Sequence, residues 1–164
     1  MNYKKLMLLV VLALMVSSVS MAQEFKYIGA AKCKVCHNKP ETGGQYSEWV
    51  AGPHANAMKS LKGADATNPK CLKCHSTAAS VDKSLLAGIT PQEGVSCESC
   101  HGPGSIYKSA SIMKNQKLAL SKGMIMPTEA MCKKCHNAES PTFKGFNYAE
   151  YSKKVAHPNP ALKK

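Results

Sequence analysis

Four copies of one five-residue pattern constrain this chain more than anything else in its 164 residues: Cys33-Lys34-Val35-Cys36-His37, Cys71-Leu72-Lys73-Cys74-His75, Cys97-Glu98-Ser99-Cys100-His101 and Cys132-Lys133-Lys134-Cys135-His136. They consume all eight cysteines, so none is left for a separate disulfide framework. Four of the six histidines directly follow the second cysteine of a pair. A single Cys-x-x-Cys fits a redox dithiol, half of a zinc site or a thioether anchor for haem. The fixed histidine separates the three. In a c-type haem the two sulfurs bond the vinyl groups and the adjacent imidazole reaches the iron. Zinc has no need for that adjacency in every pair, and a redox dithiol has no need for the histidine at all. The pattern therefore predicts four covalently bound c-type haems, with His37, His75, His101 and His136 as proximal iron ligands.

The N-terminus, MNYKKLMLLVVLALMVSSVSMAQ, has a short basic start, an apolar run from Leu6 to Val16 and small residues before a cut after Ala22. It reads as a signal peptide over residues 1–22, which predicts a periplasmic protein. The apolar run is short for a membrane span. A retained anchor, holding the protein at the membrane, is the alternative. Residues 23–164 then form a single domain. Four haems leave each about 36 residues of that domain, too few for a large protein core, so the macrocycles must supply much of it. One Trp, three Phe and six Tyr in the whole chain suit that economy of large side chains.

The formal net charge is +12, and all 22 basic residues are lysine. A nucleic-acid protein would be expected to use arginine for bidentate contacts to phosphate and guanine, so that class is set aside. Lysine patches would steer an acidic redox partner. A merely solvated lysine surface is the plainer reading.

Motif starts at 33, 71, 97 and 132 are too unevenly spaced for a solenoid. The connecting segments carry helix and turn signals. Residues 52–63 place Pro53 in a first helical turn, put His54, Met58 and Leu61 on one face and stop at Gly63. Thr90, Pro91 and Glu93 resemble a capping box that Gly94 limits to a single turn. Residues 105–123 form the longest helical candidate, with Ile106, Ala110, Met113 and Leu120 on one face and Gly123 as its end. A last helix opens with Asn147 and Glu150 in cap positions and must end before Pro158, leaving His157 where the chain turns extended. No period-two strand pattern appears. The expected fold is mostly α and loop-rich, an irregular multihaem cytochrome c packed around four haems.

Four proximal histidines leave only His54 and His157 as imidazoles for the opposite faces. At most two haems can be bis-histidine from within this chain. The others need methionine, a weaker ligand, water or nothing, and methionine raises the potential relative to a second histidine. Each mature methionine also has an ordinary role as core filling, and each spare histidine one as a solvated or hydrogen-bonded imidazole.

Three stretches resemble the tetrahaem cytochromes of the cytochrome c-554 family: EWVAGPHANAMKSLKG after the first motif, EGVSCESCHGPG at the third, and ESPTFKGFNYAEYSKKVAH after the last. The resemblance implies that His54 ligates the third haem, at Cys97 and Cys100, and His157 the fourth, at Cys132 and Cys135. It implies a five-coordinate second haem, at Cys71, Cys74 and His75. In the family the first haem takes a histidine from shortly after the third motif, where GPGSIYKSASIMKNQ has none. Met113 is the nearest strong substitute. The resemblance also implies close haem pairs, in which setting Gly102, Pro103 and Gly104 are expected to let backbone pass near a haem face.

These readings favour a periplasmic electron carrier between redox partner proteins, with no catalytic acid or base required. Two alternatives stand beside it. One is an enzyme reducing a small molecule such as NO at an open haem. The other is a subunit of a haem wire or larger redox complex, in which a neighbouring chain supplies the missing ligands.

Overall fold

The computed structural model describes residues 24–157 and Pro160. The signal peptide inferred for residues 1–22 lies outside them. Nine α-helices occur among the described residues, none longer than eight residues, with five short 3₁₀ turns between them and no β-strand. The helices are α1 (Ala30–His37), α2 (Gln45–Ala51), α3 (Pro69–His75), α4 (Thr77–Ser80), α5 (Cys97–His101), α6 (Ala110–Met113), α7 (Gln116–Ser121), α8 (Glu129–Cys132) and α9 (Tyr148–Val155). The fold is mostly α and loop-rich, as expected. Tyr27 and Leu86 form an isolated parallel bridge, Tyr27 N–H donating to Leu85 O at 2.8 Å and Ala87 N–H to Tyr27 O at 2.7 Å.

Helices this short cannot hold themselves together in water, so tertiary contacts must fix them. The protein interior is nonetheless small. Its buried apolar residues are Ile28, Ala30, Ala78, Ile89, Tyr107 and Ala119, three of them alanine. Buried with them are the polar side chains of Ser76, Thr77, Ser96 and Glu98. Hydrogen bonding takes up the role that apolar packing leaves open. Thr77 N–H donates to Gly94 O at 2.9 Å, Ser96 N–H donates to Thr77 Oγ1 at 2.7 Å, and the Thr77 and Ser99 hydroxyls lie 2.8 Å apart. The turn after the second motif is thereby bound to the loop that leads into the third.

Two helices expected from sequence are absent in the form expected. Residues 52–63 contain turns and a 3₁₀ segment, Ala57–Ser60, in place of a helix around His54. The His54 carbonyl accepts from Val95 N–H at 2.9 Å, and the Asn56 amide donates to Val50 O and Gly52 O, closing off the end of α2. Residues 105–123 are broken into turns, α6 and α7. Asn115 causes the second break: its side chain accepts from Leu118 N–H at 3.0 Å and so caps a new helix in the middle of the apolar stripe. The single turn Pro91–Glu93 is present, but Thr90 provides no side-chain cap, and Glu93 reaches across the molecule instead. The last helix agrees with its cap residues, Asn147 accepting from Glu150 N–H at 3.3 Å.

Candidate functional site

Each motif is wound on a helical turn, which brings its two sulfurs and its imidazole to one side. Cys33, Cys36 and His37 end α1, Cys71, Cys74 and His75 end α3, and Cys97, Cys100 and His101 make up α5. The fourth motif begins at the last residue of α8 and continues the turn, with His136 N–H donating to Cys132 O at 3.0 Å. None of the eight cysteines is joined in a disulfide. Burial pushes the Cys100 thiol up. Burial and the Cys74 neighbour push Cys135 up to about 12, while Cys97 is raised and its neighbour Cys33 lowered. The histidine fixed beside every pair, which a redox dithiol does not need, separates this pattern from one. No three His, Cys, Asp or Glu side chains among the described residues converge as a tetrahedral ion would require.

The histidines are prepared for iron in ways the motif alone does not reveal. His75 Nδ1 lies 2.9 Å from Ala57 O and 3.2 Å from Ser60 Oγ. A carbonyl can only accept, so Nδ1 carries the proton and Nε2 keeps its lone pair. His37 Nδ1 lies 3.3 Å from Gln45 Oε1, and the Gln45 amide nitrogen donates to Thr42 O, which turns the amide oxygen toward the imidazole. The same tautomer follows. Burial lowers His54, His101 and His136 from their ordinary value, holding these rings neutral, the form that binds metal.

Two pairs of rings then face each other. His54 and His136 have centroids 6.1 Å apart, and His101 and His157 have centroids 5.8 Å apart. His54 thus stands beside the histidine of the fourth motif and His157 beside that of the third. Trp49, whose indole N–H donates to Val95 O at 2.9 Å, and Val95, whose N–H donates to His54 O at 2.9 Å, hold the His54 segment by its backbone. The gap in each pair is that of two imidazoles on one iron, with each metal–nitrogen bond about 2.0 Å. Met113 ends α6, half-buried. Its sulfur has no place in either pair.

The donor set, the open tautomers and the ring spacing all fit haem. So does the packing: a cavity of about 230 Å³ opens on Cys135 and His136, with Phe143, Phe146 and Tyr151 around it. Phe146 stacks on His136 at 4.7 Å between centroids, and Tyr151 on Phe146 at 5.4 Å. Leu118, Leu120, Ile125 and Met126 leave apolar surface exposed that the small interior does not cover.

The glycines after His101 lie against other parts of the chain. Gly102 has φ +76°, and a Cβ there would meet Gly123 O at 2.5 Å; one on Gly104 would meet Glu98 Oε1 at 3.1 Å and Ile28. They make room for crossing backbone and for a buried carboxylate. That carboxylate is the residue sequence reading missed. Glu98, 1% exposed, accepts from Ile28 N–H at 3.0 Å, Gly29 N–H at 2.8 Å and Gly104 N–H at 2.6 Å. Glu93 accepts from Ala30 N–H at 2.8 Å. Two acids from the third-motif segment thus cap the start of α1, which carries the first motif. Burial raises the Glu98 carboxyl from its ordinary value against the pull of the three N–H donors.

Helical turns that each present two thiols and an imidazole, in a loop-rich α fold with little interior of its own, define a c-type cytochrome. The family described as cytochrome c554 and c-prime matches residues 32–102, the span that holds the first three motifs. Cytochrome c-554 of Nitrosomonas europaea is 29% identical over 160 residues, covering 79% of this chain and 66% of that protein. The chain spans about two thirds of the length of this curated relative. No solved structure matches it. Both likenesses are to cytochromes c-554, and the family's match covers the first three motifs, less than half of this chain.

Proposed function

We propose that the chain is a periplasmic electron carrier with four haems, fixed by Cys33 and Cys36, Cys71 and Cys74, Cys97 and Cys100, and Cys132 and Cys135. When bound, haem supplies a one-electron iron couple whose potential its ligands and surroundings set. His37, His75, His101 and His136 are the proximal ligands. His54 completes the iron at His136, and His157 the iron at His101. The observation that carries this reading is the pair of facing imidazoles, 6.1 and 5.8 Å apart. Ala57, Ser60 and Gln45 orient the remaining two proximal rings. The lysine-rich surface supports docking to acidic redox partner proteins. Among the described residues no helix is long and apolar enough to cross a membrane.

A second reading has an observation of its own. With both spare histidines already paired, His37 and His75 have no imidazole opposite them from this chain. The first iron is left to Met113 or a weaker ligand and the second to none, which supports binding or reduction of a small molecule such as NO. A histidine from a neighbouring chain, as in a haem wire, would fill the same positions.

Mass spectrometry combined with EPR and visible spectroscopy of the ferric protein tests both readings. Four haems are expected, two of them low-spin with two imidazoles. His54→Met should alter one of those signals and His157→Met the other. Four low-spin haems that ignore NO would remove the small-molecule reading. Unaltered signals in both variants would remove the ligand assignment.

A further inference from the structure

We propose that two inward-facing carboxylates, Glu98 and Glu93, lower the reduction potential where the first and third motifs meet below the value that the axial ligands there would set alone. This rests on the carrier reading above and deepens it.

The motifs meet in pairs. The third-motif segment holds the start of the first-motif helix through Glu98 and Glu93, and Lys73 of the second motif pairs with Glu139, just after the fourth. The first junction contains Glu98, the only acid found between the cysteines of any motif; the other three carry lysine there. Both Glu98 oxygens face backbone N–H groups, from Ile28, Gly29 and Gly104. Each partner donates, so a carboxyl proton would have to displace one of them, and the site accommodates the ionised form. Glu98 directly follows Cys97, and its carboxylate holds the N–H groups of Ile28 and Gly29 at the start of the helix that carries Cys33, where Glu93 holds that of Ala30.

The second junction has the opposite sign and weaker leverage. There Lys73 bears on Cys74 and Cys135, but it lies in solvent and is paired with Glu139. Lys34, in the first motif, is likewise exposed, 5.3 Å from the Tyr46 ring. A charge in water is screened by solvent and salt, whereas a buried one acts through a low dielectric. The buried negative charge therefore dominates at its junction. It disfavours an added electron there, with no bond or proton exchanged.

The test uses the intact protein with its haem content counted by mass spectrometry, titrated electrochemically while EPR follows each component. The third-motif component is the one whose signal changes in His157→Met. Glu98→Gln is expected to shift that component's reduction equilibrium upward about tenfold, about 59 mV for one electron, while the components of the second and fourth motifs stay in place. Glu98→Asp, which keeps the charge, should stay near the parent. Glu93→Gln should move the first-motif component in the same direction, and it carries the test if Glu98→Gln fails to fold. Four haems with unmoved components in these charge-removing variants, or with all four moved equally, overturn this proposal alone. A chain without haem at Cys97 and Cys100 overturns the carrier reading as well.

Discussion

The junction of the first and third motifs and that of the second and fourth are built from the same five-residue pattern by different means. At the first, a buried carboxylate collects three backbone N–H groups from two distant segments. Tyr107, 5% exposed, donates its hydroxyl to Gly102 O at 2.9 Å beside it. At the second, an exposed Lys73–Glu139 pair does the joining, and an open aromatic stack of His136, Phe146 and Tyr151 lies beside the fourth motif. The lesson is that repeated motifs need not be equivalent, because the residues between and around the cysteines decide how firmly each is held.

Three substitutions probe that difference. Glu98→Ala has the largest expected effect. It strands three N–H groups away from water, and a loss of about 3 kcal/mol or more is expected in chemical denaturation of the haem-loaded protein. Tyr107→Phe removes one hydrogen bond at the same junction and should cost about 1 kcal/mol by the same measurement. Lys73→Gln should leave the denaturation midpoint unchanged within error, because an exposed pair contributes little. Any small effect it has should vanish in high salt, whereas that of Glu98→Ala should persist. If Lys73→Gln destabilised as much as Glu98→Ala, the contrast between the two junctions would be gone.

Much of this was legible in the sequence because covalent chemistry is local. The Cys-x-x-Cys-His runs disclose their attachment chemistry without any knowledge of the fold, and Asn147 announces α9 by a cap only three residues long. What stayed hidden depends on long-range meetings. Nothing near residue 54 records that Val95 N–H takes its carbonyl or that its ring lies beside His136. Asn115 was readable as a cap, but the apolar stripe around it outweighed that signal. Ala57 orients His75 through its backbone oxygen, which no side-chain pattern encodes. Glu98 did carry a signal, being the one acid inside a motif, and its meaning appears only when residues 28 and 29 fold back on it.

That fold-back also sets a schedule. The N–H groups of Ile28, Gly29 and Ala30 find their acceptors 63 to 70 positions further along. As the chain emerges N-terminus first, the first motif has nothing to dock against until the third has followed it.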